Sequence, residues 1–462
     1  MDAIVRVQAG QLRAKLREYY ASEGRADDIS IDLPKGSYAV RISKRRDVPG
    51  EASSEQTSVP PFDSPLFLGF ASIRDKVSIV VLPFANMSSD PEQGYFADGI
   101  TEDLTTELSK LSSLFVISRH SAFVYRNATK SAEEISRELG VRYVVEGSVR
   151  RAGDRIRISA RLTDTVLGGH VWAERYDRKI EDVFAVQDEV TRRVVEVLRI
   201  KLVGGEAERM GARGAASVGA YEMLLRAREQ AFHFSFETNE AAKAFCRRAL
   251  EIDPSYATAH AELARTYVCD WVMDWTSDAR VLELALDHAQ RAIVIDDNLA
   301  LAHAVLGFVQ LWRKQGKAAI LAGRRAVELD PNNAEARMFL SLNLAASNCA
   351  EEGLFHIEAA LRLHPYRSTH YLYALGLCRY LLYDYAKAIA ALEQALELNP
   401  SFTPHLSLLV KLYTLTGRND DARRARERVL NLGGRGSFPS SFFLDPELAN
   451  RAEQDRKLAW GE

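Results

Sequence analysis

ALEIDP at 249–254, AIVIDD at 292–297, AVELDP at 326–331, ALRLHP at 360–365 and ALELNP at 395–400 are one hexapeptide written five times, and VLNLGG at 429–434 is a degenerate sixth copy. Measured between last residues, the spacings are 43, 34, 34, 35 and 34. A near-constant period of this length marks stacked helical repeats, in which each unit has an apolar face that only its neighbours can bury. Ala249, Ala292, Ala326, Ala360 and Ala395 are small enough to let neighbouring helices approach closely. The terminal Pro has no N–H to donate and stops each second helix. The array predicted from this spacing covers residues 218–434, and 435–462 read as a C-terminal cap.

The first helix of each unit carries a second set of matched positions: Leu263, Ala264 and Tyr267; Leu306 and Gly307; Leu375 and Gly376. Period, terminal Pro and these positions together resemble the tetratricopeptide repeat. That resemblance implies an all-α superhelix with a protein or peptide ligand on its concave face. The first interval exceeds the period by nine residues, and the insertion falls near Trp271–Thr276. Trp271 and Trp275 are therefore a candidate partner anchor, since Trp is enriched where binding energy concentrates. The alternative is a packed elaboration between two helices.

Upstream the pattern changes. Asp47–Ser64 is rich in Pro, Ser and Glu, so 47–75 read as a linker. From residue 76 to 203 short apolar runs alternate with helical spacing. Val77–Phe84 suits a buried strand, and Ile100, Leu104, Leu108 and Leu111 follow a helix for which Asp98 is the expected N-cap. Leu114–Ser118 is another strand, and a short helix closes at Gly140. Strands around 141–151, 155–164 and 170–176 follow, and the valines from Val183 to Val197 mark a last helix. The order β-α-β-α-β-β-β-α describes a small α/β domain. The stretches VLPFANMSSDPEQGYFADGITEDL (81–104), ELGVRYVVEGSVRRAGDRIRISARLTD (138–164) and HVWAERYDRKIEDVFAVQDEV (170–190) resemble the TolB amino-terminal-like domain of bacterial signalling proteins. The resemblance implies a sensing or docking module and carries no catalytic residues. Within it Arg155, Arg157 and Arg161 alternate with Ile156, Ile158, Ala160 and Leu162, so the arginines share one sheet face. That face is either a patch for an anion or acidic partner or an ordinary solvated surface.

Residues 1–46 hold ten Lys/Arg against six Asp/Glu. VRVQAGQLRAKLREYY followed by IDLPKGSYAV resembles the recognition helix and wing of a response-regulator type winged helix. By that resemblance Arg6, Gln8, Gln11, Arg13 and Arg17 would face DNA, and Lys35 would lie in the wing. The resemblance starts at the recognition helix, so the segment reads as a truncated winged-helix remnant. DNA is an expected partner only if the true start lies upstream and completes the fold.

The whole chain of 462 residues is 47% hydrophobic and 27% charged with a net charge of −3, which gives no general attraction to nucleic acid or membranes. Cys246, Cys269, Cys349 and Cys378 form no CxxC pair, and all four read as helical thiols of a reduced cytoplasm. No phosphate loop, His-Glu-x2-His or Gly-x-Ser-x-Gly stands in the sequence. The expectation is a multidomain α+β protein without catalytic, cofactor-binding or metal residues: a bacterial signalling adaptor that binds protein partners through its repeats. Two further readings stay open: a winged-helix transcription regulator, and an adenylate cyclase-associated protein without its catalytic domain.

Overall fold

The computed structural model describes residues 29–32, 41–44, 76–200, 202, 206, 217–231, 235–273, 275–366, 368–432 and 442–461. The chain divides into two compact units, residues 1–69 and 70–462. In the first, β1 (Ile29–Asp32) pairs antiparallel with β2 (Arg41–Lys44). The hairpin expected over 29–40 therefore takes its return strand just beyond Val40.

The second unit opens with a mixed sheet. Strands β3 (Val77–Val81), β4 (Ala85–Asn86), β5 (Leu114–Val116), β6 (Tyr143–Ala152), β7 (Arg155–Asp164) and β8 (Gly169–Lys179) stand in the order β5-β3-β6-β7-β8, with β4 extending beside β6. The β5–β3–β6 pairs are parallel and the β6–β7–β8 pairs antiparallel. Period-two alternation sorts the side chains: Ile79, Val81 and Val145 face one core, while Val80, Leu82 and Val144 face another. Helices α1 (Gly94–Ser109) and α4 (Val183–Val197) cover the first face, and α2 (Arg119–Phe123) and α3 (Ala132–Leu139) the second. Helix α3 starts on a Ser131/Glu134 capping box and ends at Gly140 with φ 68°, the left-handed C-cap that its glycine allows. Helix α1 begins at Gly94, so Asp98 lies within it instead of capping it.

Twelve helices then pair off: α5 (Val218–Ala231) with α6 (Phe236–Ile252), α7 (Ala257–Val272) with α8 (Arg280–Ile295), α9 (Ala300–Trp312) with α10 (Gly316–Leu329), α11 (Ala334–Ala346) with α12 (Ala350–Leu363), α13 (Thr369–Leu381) with α14 (Tyr385–Leu398), and α15 (Thr403–Leu415) with α16 (Asn419–Asn431). Helix α17 (Pro446–Trp460) closes the chain against α15. The five motif alanines are each fully buried. The turns inside the last four pairs reuse one device, a left-handed residue at Lys314, Asn348, Tyr383 and Gly417. Cys349 is exposed and sits just ahead of α12 instead of within a helix.

At Gly307 the paired helices α9 and α10 approach closely. A Cβ there would stand 2.8 Å from the Ala319 carbonyl oxygen and 3.1 Å from the Gly323 nitrogen. Helix propensity favours Ala by about 1 kcal/mol, but overpacking costs roughly 1–3 kcal/mol, and a backbone neighbour cannot rotate away. Gly307→Ala is expected to lower the urea midpoint. An unchanged or higher midpoint would show that the α9–α10 contact is slack.

Candidate functional site

The inner helices α7, α9, α11, α13 and α15 line the concave side of the array, and the mixed domain docks onto the loops at one edge of it. Asn332, one residue past the Pro of its motif, makes the central contact. Its Nδ2 donates to the Ser109 and Leu111 carbonyls at 2.9 and 3.1 Å, and its Oδ1 accepts from the Val116 N–H at 3.4 Å. The Ser109 carbonyl, at the C-terminal end of α1, has no partner inside its own helix, and the array supplies both the backbone N–H of Asn332, at 3.3 Å, and its side chain. One repeat further on, the Ser118 N–H donates to the Leu363 carbonyl at 2.8 Å, and His364 Nδ1 lies 2.9 Å from both the Ser118 and Ser121 hydroxyls. Burial pushes the His364 imidazole down to about 4, so it is neutral near pH 7 and acts as a hydrogen-bonding group.

A buried chain of alternating charge joins the same elements. Arg265 on α7 donates to Glu262 at 2.8 Å, and Arg228 on α5 reaches Glu262 at 2.9 Å and Asp103 on α1 at 3.3 Å. Arg119 on α2 meets Glu102 on α1 at 3.0 Å. Burial alone would raise the Glu262 carboxyl, but Arg265 and Arg228 outweigh it and hold the group down at about 2.

The opposite edge of the concave side is closed by the C-terminal segment. Phe442 is buried edge-on to Trp312 at 5.8 Å, the Leu444 N–H donates to the Ala346 carbonyl at 2.8 Å, and Arg451 reaches the Tyr380 and Leu381 carbonyls. Between the two edges lies a chamber of about 1020 Å³. Its lining includes the aromatic residues Phe308, Trp312, Phe339 and Phe442 and the polar residues Glu102, Arg119, His120, Arg265, Asp330 and Glu335. Among the described residues no group of His, Cys, Asp and Glu could hold a metal ion, and no helix is long and apolar enough to cross a membrane.

The residues singled out from sequence are dispersed. Arg6, Gln8, Gln11, Arg13, Arg17 and Lys35 lie outside the described residues. Arg155 and Arg157 share Asp177 at 2.7 and 2.6 Å, and Arg161 pairs with Glu146 at 3.1 Å, so each of the three arginines meets a carboxylate from a neighbouring strand. Trp271 belongs to the last turn of α7, stands edge-on to Trp312 at 5.8 Å and lines the chamber. Trp275 packs beside Phe236 at 6.1 Å, away from it. Asn332 and His364 were missed. One signal was present: ALRLHP is the only full copy with His where the others have Asp or Asn before the last position.

Residues 381–433 match the tetratricopeptide repeat family. Over that stretch the helices are tetratricopeptide repeats, and the helix pairs before it repeat the same helix-turn-helix arrangement. A protein of Rhizobium meliloti (strain 1021) named "Putative adenylate cyclase 3" is 51% identical over 241 residues, 52% of this chain. The chain spans only 41% of that relative's length. Among solved structures, a thermophilic tetratricopeptide repeat protein of Thermus thermophilus is 18% identical, covering 46% of this chain and 99% of its own, with a TM-score of 0.33. The pilF protein of Pseudomonas aeruginosa is 21% identical, covering 46% and 93%, with a TM-score of 0.35. The repeat assignment rests on the family match and on the helix pairs themselves.

Asp330 gives the docking seam a pH dependence. It is 2% exposed, and its Oδ2 accepts from Asn333 at 3.1 Å while Oδ1 has no hydrogen-bond partner. Burial pushes the carboxyl up to about 6, against the pull of Ser109, Asn333 and Lys110. A folded value above the unfolded one means that the native state binds the proton more firmly. The cost of the charged form is therefore present above about pH 6 and fades as pH falls toward the unfolded value. Asp330→Asn is expected to stabilise the protein by roughly 1–3 kcal/mol near neutral pH, with the gain shrinking below about pH 5. Urea unfolding of both proteins at two pH values checks this, and equal stability near pH 7 would count against it.

Proposed function

We propose that this chain is a non-catalytic signalling adaptor whose repeats hold a protein partner and whose mixed domain, docked across the concave edge, controls access to them. The observation that carries the reading is the docking seam. Asn332, His364 and the Ser118–Leu363 backbone bond occupy the loops that flank the surface a tetratricopeptide array offers to a ligand. The resemblance of 81–104, 138–164 and 170–190 to the TolB amino-terminal-like domain supports a sensing or docking role for the sheet. A cytoplasmic setting agrees with the unpaired cysteines.

The reading is tested by placing a photo-crosslinking phenylalanine derivative at Tyr371, inside the chamber, or at Leu321, exposed on α10. Protein adducts are expected from position 371 and should increase severalfold when Asn332→Ala and His364→Ala weaken the seam. Adducts from position 321 alone, or a yield at 371 that ignores the seam variants, would defeat it.

The curated relative raises nucleotide cyclisation as a rival. That chemistry needs carboxylates that hold metal ions in a catalytic domain, and the described residues are already assigned to a sheet domain and repeats. Purified chain given ATP with Mg²⁺ or Mn²⁺ is expected to form no cyclic AMP, and product above the no-enzyme control would reverse the assignment. A DNA-binding role draws support from the β1–β2 hairpin, which stands where a wing is expected. A low-salt gel shift tests it, because phosphate contacts are strongest there.

A further inference from the structure

We propose that the concave chamber is a binding site for a small organic cation, a protonated amine or guanidinium carried on an apolar body, with Glu335 as its counter-ion. The inference stands apart from the adaptor reading, because it concerns the docked state and not the partner that would compete with docking.

Size and closure come first. A volume of about 1020 Å³ matches the pockets that hold drug-sized molecules. The mixed domain closes one edge through Asn332 and His364, and Phe442 closes the other. An extended peptide crossing several repeats would have to displace one of them, whereas a compact molecule would not.

Charge decides the class. The cations on the wall already have carboxylates: Arg119 meets Glu102 at 3.0 Å, and Arg265 donates to Glu262 at 2.8 Å. The histidines on the wall carry no charge near neutral pH, since burial pushes His120 to about 3, His364 to about 4 and His370 below its ordinary value. Glu335, on the first turn of α11, lines the same space and makes no hydrogen bond or ion pair among the described residues. Its carboxyl is raised by burial, with Arg265 pulling it back, as expected of a group that lacks a counter-ion at contact distance. A second anion placed beside it would be repelled, and a cation would relieve its desolvation.

The aromatic lining supplies the rest. Trp271 stands edge-on to Trp312 at 5.8 Å, and Phe308 and Phe339 lie 4.8 Å apart and tilted. Such rings take an apolar body and attract a cation through their faces. Neither the family match nor the relative's name assigns a ligand to this space.

The test uses the full chain and two probes that share a ring and differ in charge, naphthylethylammonium and naphthylacetate, followed by calorimetry. The cation is expected to bind at least about tenfold more tightly than the anion, and in Glu335→Gln the preference should fall below about threefold. Location is read in the unaltered protein from alkylation of Cys269, which lines the chamber, against exposed Cys349. The bound cation should slow the reaction at Cys269 and leave Cys349 unchanged. Four results would overturn the proposal: no binding at millimolar probe, equal or reversed preference, a preference that survives Glu335→Gln, or binding that leaves Cys269 unprotected. If Glu335→Gln fails to fold, the two-probe comparison and the Cys269 readout still decide.

Discussion

The C-terminal end of α1 is the constraint around which this molecule is arranged. Its last carbonyls point out of the sheet domain and into the array, where water is scarce. A buried carbonyl without a donor costs about 1–3 kcal/mol, so a dry seam is possible only if the array brings a donor. Asn332 brings one amide that bonds two carbonyls, and its own oxygen takes the β5 N–H at Val116. The Ser109 carbonyl also accepts from the Asn332 backbone N–H and the Leu111 carbonyl from the Leu114 N–H, so an apolar side chain would remove one of two donors from each, and a charged one would add its own desolvation. The seam therefore depends on an uncharged side chain that both donates and accepts, and the chamber exists because the seam holds the sheet domain across the open side of the superhelix.

Helix pairs could be read from the sequence because their causes are local. A period near 34 residues, an Ala in five of the six motifs and a Pro at four of the exits act within one unit and its neighbour, so the chain repeats them. The sheet could be read for the same reason: Ile156, Ile158, Ala160 and Leu162 are all buried in one core, as period-two alternation requires. The seam could not. Asn332 and Ser109 are 223 residues apart, and no periodicity connects them. The arginines of β7 show the same limit from the other side. Their shared face followed from spacing, but Asp177 and Glu146 come from the neighbouring strands, and only the register puts a carboxylate beside each.

Much of the buried charge where the sheet domain meets the first repeats is paired. Arg265, Glu262, Arg228, Glu102 and Arg119 alternate in sign across α7, α5, α1 and α2, with Asp103 a second carboxylate on Arg228. Buried pairs of this kind add little net stability over well-packed apolar residues, but removing one member is expensive because it strands the other. The alternation therefore serves mainly to fix how the sheet domain sits on the first repeats. Glu335 is close enough to feel Arg265, yet it belongs to no pair among the described residues. Glu335 and Asp330 thus stand on the chamber wall without an ion pair among the described residues, and for Glu335 only the N-terminal end of α11 offers compensation.

Three segments distant in sequence meet at this chamber: α1 and α2 of the sheet domain, the inner helices, and Phe442 near the C-terminus. Any molecule that touches all three binds the docked arrangement and not the opened one, so it stabilises docking by its own binding free energy. At a concentration a hundred times its dissociation constant that amounts to about 2.7 kcal/mol, comparable to the hydrogen bonds that Asn332 supplies. A protein partner that needs the concave face free would be opposed by the same amount. Reciprocity then follows from linkage: whatever the small ligand takes from the partner's affinity, the partner takes from the ligand's. On the proposed function, partner binding by the repeats and ligand binding by the chamber would be two ends of one equilibrium, set by the strength of the seam.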